Sequence, residues 1–134
     1  MRFVKTLTVT AGATIAAPSS TSLRLIRGKL THIEIAFPPG PGGYVSVVIM
    51  DRNLQIAPAN PEQSFSWDDD TLSFSMNYPI TDQPFELILV GWSPDAIYDH
   101  LITFRLDIDT SEKDDREALL QAMSQAFKPF GERE

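Results

Sequence analysis

Two histidines, His32 and His100, are the side chains of this sequence best suited to acid–base chemistry or metal binding near neutral pH. They lie far apart in the chain, and neither has a second ligand at a spacing typical of a metal site. Glu34 shares one face of a predicted strand with His32, which indicates a surface histidine beside a carboxylate. No serine stands in the nucleophile-elbow motif that would support a Ser-His-Asp triad. The sequence therefore predicts no catalytic residue.

An acidic run and a glycine-rich run are two further candidate ligand sites. Asp68, Asp69 and Asp70 are consecutive, so their side chains alternate in direction and do not surround one point as calcium requires. We interpret them as a solvated turn. The run 39–43 is not followed by a helix with a lysine, as a phosphate-binding loop would be. The chain has no cysteine, which excludes disulfides and zinc-thiolate sites, so we expect neither metal nor cofactor.

Four aromatic side chains are candidates for a platform that stacks on a sugar ring: Trp67, Trp92, Tyr44 and Tyr98. Rings of this kind more often belong to a core or to an interface between proteins. A glycan site on these rings is therefore the alternative to a purely structural role.

Charge is distributed unevenly along the chain. The 134 residues carry a net charge of −7, but the first 33 contain five bases and no acid, and the remainder carries −12. The acidic balance argues against nucleic acid as a partner. The basic segment either lies on its own acidic body or reaches an adjacent subunit or another acidic surface. Its candidate interface residues are Arg2, Lys5, Arg24, Arg27 and Lys29.

Most of the chain alternates apolar and polar residues, which predicts β-strands separated by turns. The run 85–92 is apolar at nearly every position, as expected of an inner strand covered on both faces. Seven or eight such runs predict an all-β fold, an antiparallel β-sandwich of jelly-roll type. The predicted strands are 3–9, 22–26, 29–37, 44–50, 54–57, 71–77, 85–92 and 100–108. The predicted core residues are Ile33, Ile35, Val45, Val47, Ile49, Leu72, Phe74, Leu87, Leu89, Ile102, Phe104 and Leu106.

The period changes to that of an α-helix after residue 110. Leu119, Leu120, Met123 and Phe127 lie on one face of a predicted C-terminal helix, 112–127, and are further interface candidates. This narrow stripe must cover another surface. We expect a neighbouring subunit, because the polar junction 109–111 would let the helix swing away from its own sandwich, and that sandwich is the alternative. The chain is predicted to form one domain, with a basic strand and arm at 1–28, the sandwich at 29–109, and the helix and tail at 110–134.

The first residues resemble a signal peptide only in part. Arg2 and Lys5 give a positive start, but threonines at 6, 8 and 10 interrupt the apolar stretch that a signal needs. We interpret this segment as a strand. Because the chain has no run of 18 apolar residues, we expect no membrane contact.

Three stretches share a pattern of turn and strand residues: RGKLTHIEIAFPPGPGGYVSVVIM, PANPEQSFSWDDDTLSF and IYDHLITFRLDI. In these stretches, which span about 80 residues with the positions between them, the chain resembles a group of small virion-associated β-sandwich proteins encoded among the structural genes of tailed phages. The helix after Thr110 is not part of the pattern. The matching positions are Gly28, Phe37, Pro38, Pro39, Gly40, Gly43, Val45, Val47, Ile49, Pro58, Asn60, Pro61, Asp69, Tyr98, Asp99 and His100.

The resemblance implies a virion component without catalytic residues. We accordingly expect a non-enzymatic structural protein of a bacteriophage, a decoration or cement protein on the capsid. Its expected partners are the major capsid protein or another virion protein and further copies of itself in a homo-oligomer. Its expected location is the virion, which assembles in the host cytoplasm. The alternative is a tail- or fibre-associated glycan-binding module. A small hydrolase comes third, because neither nucleophile nor base can be placed.

Overall fold

The structure is a computed structural model and describes residues 1–40 and 44–110. Within these ranges it contains eight β-strands and no helix, so none of the described residues belongs to a helix that could cross a membrane. The predicted helix 112–127, with Leu119, Leu120, Met123 and Phe127, lies outside the described residues, as does the turn 41–43.

The strands form two antiparallel sheets of four, which confirms the all-β prediction and is consistent with a β-sandwich. The first sheet has the order β1-β8-β3-β6, and the second has the order β2-β7-β4-β5. One apolar core lies between them. The strands are β1 (Arg2–Val9), β2 (Ser19–Arg24), β3 (Gly28–Phe37), β4 (Ser46–Asp51), β5 (Leu54–Ala57), β6 (Asp70–Ile80), β7 (Glu86–Trp92) and β8 (His100–Asp109).

The core is built from the inward-facing residues of alternating strands. All predicted core residues are buried except Leu72 and Phe74, which are half-buried and pack against the core. Both lie on β6, at the edge of the first sheet, where only one side of the strand has a neighbour. The Phe74 ring contacts Phe65, with ring centroids 5.1 Å apart, and this contact closes the core on that side.

A β-bulge changes the face assignment in β3. Simple alternation predicts that Thr31 points inward together with Ile33, and this prediction is wrong. The register shifts between Leu30 and His32, so Leu30 and Ile33 are both buried. The Thr31 hydroxyl donates instead to the carbonyl oxygen of Asp107 at 3.3 Å.

The N-terminal residues contribute one strand to each sheet. β1 pairs with β8 in the first sheet, and β2 pairs with β7 in the second. β1 packs closely across the core against Gly91 of β7. A Cβ added at Gly91 would lie only 2.7 Å from Val9 Cγ2 and 3.1 Å from Leu7 Cδ2. A glycine is required at this approach.

Candidate functional site

The outer surface of the second sheet is apolar along its two inner strands, β7 and β4. On β7, Leu87 and Leu89 are buried in the core, so the residues that alternate with them point outward and are half-buried. Register places Val90 directly beside Val48 of β4. We call this surface the apolar face; its residues are Val48, which is buried, and Met50, Ile88, Val90 and Trp92, which are half-buried.

The margin of the apolar face is polar. On one side, Gln55 of β5 donates its side-chain amide to the carbonyl oxygens of Pro58, Asn60 and Gln63 at 2.9–3.0 Å, which holds the following loop against the sheet edge. An apolar centre inside a polar margin is the usual anatomy of a protein–protein interface. On the other side lie the outward residues of β2, Ser20, Ser22 and Arg24.

The outer surface of the first sheet, which we call the polar face, has a charged centre. Arg2 Nε donates to Asp107 Oδ1 at 2.8 Å, and Arg2 Nη2 lies 3.4 Å from Glu34 Oε2. Arg105 Nη1 lies 3.7 Å from Glu34 Oε1. These side chains pair across three strands and balance one another. Five of the outward residues around them bear a hydroxyl group, Thr6, Thr71, Ser73, Ser75 and Thr103, and two are exposed apolar residues, Val4 and Leu101.

Arg2 therefore lies on the chain's own sheet. This is one of the two arrangements that we expected for the basic segment, the other being contact with another acidic surface. The hydrogen bond from Arg2 holds the pKa of the Asp107 carboxyl below its usual range. The same bond raises the pKa of the Arg2 guanidinium.

The other basic interface candidates are exposed. Arg24, Arg27 and Lys29 are brought together at one end of the sandwich, because the β2–β3 turn joins the end of one strand to the start of the next. Lys5 lies apart from them, midway along the edge strand β1. Within the part of the chain that the structure describes, Lys5, Arg24 and Lys29 form no ion pair.

A serine, a histidine and a carboxylate meet on the polar face without forming a catalytic triad. His32 Nε2 lies 2.8 Å from Ser73 Oγ and 3.5 Å from Glu34 Oε2. A triad requires the serine and the acid on opposite ring nitrogens, but here both approach Nε2. The contact fits the sequence interpretation of His32 as a surface histidine beside a carboxylate.

The loops at the opposite end of the sandwich form a groove of about 540 Å³. Tyr44 and Tyr98 line it and are exposed, whereas Trp67 and Trp92 do not line it. The structure therefore brings together only two of the four rings proposed for a sugar platform. We call this site the loop-end groove; its residues are Gly40, Tyr44, Asp95, Ala96, Ile97, Tyr98 and His100.

The β7–β8 loop that forms one wall of the groove is fixed by the segment before β2. The buried Ser93 donates its hydroxyl to the carbonyl oxygen of Thr10 at 3.1 Å and its N–H to that of Ala13 at 2.9 Å. The N–H of Ala11 donates to Asp99 Oδ1 at 2.8 Å. These bonds hold both ends of the loop in place.

Two residues of the acidic run accept hydrogen bonds from the backbone, one from a distant loop and one from the adjacent residue. Asp68 Oδ1 accepts from the N–H of Gly40 at 3.0 Å, and Asp70 Oδ1 accepts from the N–H of Thr71 at 2.7 Å. Asp69 adopts a left-handed conformation with φ of 51°, which reverses the chain. Across residues 1–40 and 44–110, no three histidine or carboxylate side chains gather as a metal site would require.

One contact between the two sheets was not predicted from the sequence. The Tyr78 hydroxyl on β6 donates to Asp51 Oδ2 at the end of β4. Burial, together with this hydrogen bond, raises the pKa of Tyr78 to about 12. No local sequence pattern relates two residues that are 27 positions apart.

No protein-family model matches the chain, and neither does any curated protein sequence. Among solved structures, the chain has a weak similarity to a family two carbohydrate esterase from Cellvibrio japonicus, with 11% identity and a TM-score of 0.24. The alignment covers 81% of this chain and 35% of the esterase chain, so this chain spans about a third of the esterase. At that TM-score the two chains share no established fold, and no property of the esterase is transferred.

Proposed function

We propose that the protein is a non-enzymatic structural component of a tailed-phage particle, a decoration protein that binds the capsid surface and adjacent copies of itself. The observation that carries this proposal is the apolar face, where Ile88, Val90 and Trp92 of an inner strand lie half-buried on the outside of the sheet. A contiguous apolar patch with a polar margin marks an interaction surface. The resemblance to proteins encoded among tailed-phage structural genes suggests the particle as the setting.

The finer fold in this proposal is a jelly roll followed by one C-terminal helix. The strand pairing supports the jelly roll. Strand β1 pairs with β8, β2 with β7, β3 with β6 and β4 with β5, each pair antiparallel. Such nested pairing is expected when one long two-stranded ribbon folds over into two facing sheets, the arrangement of double-sheet jelly rolls. The helix rests on the apolar periodicity of 112–127 alone.

The proposal assigns no catalytic role to the protein. Its support is the geometry around His32, where Ser73 and Glu34 compete for the same ring nitrogen. A serine in this arrangement is not activated, because among residues 1–40 and 44–110 no carboxylate is hydrogen-bonded to the other nitrogen of the imidazole.

The exposed basic residues are the proposed contact with the particle. Lys5, Arg24 and Lys29 suit an acidic surface, because the described part of the chain leaves them without an ion pair. One exposed ion pair contributes only about 0.2–1 kcal/mol, so the contact requires several together. Salt screens such pairs, with a Debye length of about 8 Å at physiological ionic strength.

Purified particles provide the test. The protein should be present at a fixed number of copies per capsid subunit, and it should rebind to particles from which it is missing. Rebinding should weaken as salt rises, and more steeply for the wild type than for the triple variant Lys5→Ala, Arg24→Ala, Lys29→Ala. A triple variant of exposed uncharged residues, Thr8→Ala, Ser75→Ala, Asn77→Ala, should follow the wild-type curve. Absence from the particles would contradict the proposed function, and identical salt curves would contradict the basic contact.

A tail- or fibre-associated glycan-binding module is the second candidate, and the loop-end groove is the observation that favours it. Tyr44 and Tyr98 offer exposed rings for stacking on a sugar, and Asp95 and His100 offer hydrogen-bonding groups beside them. A glycan array distinguishes the two candidates. This module predicts binding that Tyr98→Ala abolishes and that Trp67→Ala, an exposed ring outside the groove, preserves. An array without binding rules against it.

A further inference from the structure

We infer that a basic turn of one copy docks in the loop-end groove of the next copy, so that copies join head to tail. The basic turn is residues 24–29, and its charged side chains are Arg24, Arg27 and Lys29. This inference rests on the proposed function, because it names the acidic surface that Arg24 and Lys29 meet, an adjacent copy on the particle. It commits to a second copy of this chain rather than to a glycan or another virion protein.

The first support is the charge at the end of the sandwich that holds the groove. Four of the connections between strands lie at this end, 10–18, 38–45, 58–69 and 93–99. They contain no lysine or arginine, and their five carboxylates are Glu62, Asp68, Asp69, Asp95 and Asp99. A surface of one charge sign attracts a partner of the opposite sign, so this end favours a basic occupant.

The second support is the chemistry of the groove wall, which suits an arginine side chain. Tyr44 and Tyr98 are 61% and 70% exposed, so their rings are open to a partner. A guanidinium group stacks on such rings and also pairs with a carboxylate, and Asp95 lies in the same groove. The apolar stem of the side chain covers hydrophobic surface, which Ile97 provides. A neutral sugar would use the rings alone, whereas a basic side chain uses both the rings and the charge.

The wall of the groove is formed before any partner binds. The N–H of Gly12 donates to the carbonyl oxygen of Ser93 at 3.1 Å, in addition to the bonds that Ser93 and Asp99 make with the segment before β2. The N–H of Ala96 donates to the same carbonyl oxygen at 3.1 Å and closes a turn within the loop. A fixed wall loses little conformational freedom on binding, which favours recognition by this loop.

The third support is that the basic turn presents charges without partners. Arg24 and Lys29 are exposed, and across residues 1–40 and 44–110 neither forms an ion pair. The turn is fixed to the body of the sandwich, because the N–H of Leu25 donates to the carbonyl oxygen of Phe85 at 2.7 Å. The turn therefore holds long basic side chains together at the surface.

The length of the sandwich selects a second copy. Strand β3 begins at Gly28, inside the basic turn, and ends at Phe37, three residues before Gly40 of the groove. Its ten residues extend about 33 Å, at about 3.3 Å per residue. No arginine or lysine side chain spans that distance, so a chain cannot place its basic turn in its own groove. Because the two surfaces lie at opposite ends, the contact repeats from copy to copy in a row or closes into a ring.

Two complementary variants test this contact in solution, without particles. The turn variant Arg24→Ala, Arg27→Ala, Lys29→Ala keeps an intact groove, and the groove variant Asp95→Asn, Tyr98→Ala keeps an intact turn. All five substituted side chains are exposed, so both variants should fold. Analytical ultracentrifugation compares each variant alone with an equal mixture of both.

The mixture alone pairs an intact groove with an intact turn. We therefore expect it to associate at least about tenfold more tightly than either variant alone, and less tightly as salt rises. Association through the apolar face contributes equally to all three samples and does not affect the comparison. The matched control Glu62→Gln, Trp67→Ala removes one carboxylate and one exposed ring outside the groove, and it should associate like the wild type.

A mixture that associates no more tightly than the separate variants would overturn the inference, while the proposed function would still be judged by particle rebinding. If a glycan array then shows binding that Tyr98→Ala abolishes, the groove takes a sugar instead. Equal weakening by the groove variant and its control would also overturn the inference, because the groove itself would not be the contact. Restored association in the mixture, together with absence of the protein from particles, would contradict the proposed function and support the head-to-tail contact.

Discussion

The two outer faces of the sandwich differ in the side chains at their centres. Those of the polar face form ion pairs with one another, whereas those of the apolar face are hydrophobic. On the polar face, Arg2, Asp107, Glu34 and Arg105 pair across three strands. On the apolar face, the corresponding centre of the sheet carries valine, isoleucine, methionine and tryptophan. The charged groups at the centre of the first surface are therefore paired with one another. The second reduces its free energy by losing contact with water.

Strand position does not cause this difference. β8 and β7 each lie second in their sheet, and both have fully buried inward residues. The outward positions diverge. On β8 four of the five are polar and one is apolar: Leu101, Thr103, Arg105, Asp107 and Asp109. On β7 three of the four are apolar and one is polar: Glu86, Ile88, Val90 and Trp92. The contrast therefore indicates that the outer face of β7 serves a contact rather than the sandwich's own stability.

The largest expected effect is a difference in stability between a variant of an inward residue and a variant of an outward residue. Phe104→Ala should lower the free energy of unfolding by about 3–5 kcal/mol, because the ring is fully buried in the core. Val90→Ala should lower it by less than about 1 kcal/mol in dilute protein, where only the sandwich is measured. Urea unfolding of both variants checks this. Equal losses would mean that the apolar face belongs to the chain's own core.

An intermediate effect is expected at the contact between the sheets. Tyr78→Phe removes the hydrogen bond to Asp51 and should cost about 0.5–1.5 kcal/mol at neutral pH. Because folding raises the pKa of Tyr78 from 10.0 to about 12, its contribution is present below pH 10 and is lost as pH rises toward 12. Unfolding measured from neutral to alkaline pH should show this loss in the wild type only. A parallel decline in the variant would mean that another group causes it.

The smallest effect is expected on the polar face. Arg2→Ala should raise the pKa of Asp107 toward its usual range, because the guanidinium hydrogen bond lowers it. That bond stabilises the fold above the ordinary carboxyl pKa, and the contribution is lost as pH falls through the lowered value in the folded protein. An NMR titration of the Asp107 carboxyl carbon checks this, with Lys5→Ala as the control. An unchanged titration in Arg2→Ala would show that the pair does not persist in solution.

The sequence predicted the strands well because alternation is a local property. The run 100–108 showed it clearly, and Ile102, Phe104 and Leu106 are buried as expected. The bulge at Thr31 was not predictable, since it depends on the register with two neighbouring strands. The half-burial of Phe74 likewise follows from the edge position of β6, which long-range pairing decides.

The candidate sites were less predictable than the fold. The run 85–92 did indicate a strand with two apolar faces, and it was the only local trace of the apolar face. The pairing of Arg2 with Asp107 joins residues 105 positions apart, so no spacing rule reveals it. The four aromatic rings were grouped by type alone, and the loop-end groove is lined by Tyr44 and Tyr98 but not by Trp67 or Trp92.

Self-association measured by analytical ultracentrifugation tests the central claim most directly, that the apolar face is a contact surface and the polar face is not. We expect the wild type to associate reversibly and Ile88→Asp to associate at least tenfold more weakly. A carboxylate left unpaired in an apolar interface costs more than the about 1.4 kcal/mol that corresponds to tenfold. Ser75→Asp, an equal change of charge on the polar face, should associate like the wild type. A monomeric wild type, or equal association of Ile88→Asp and Ser75→Asp, would contradict the claim.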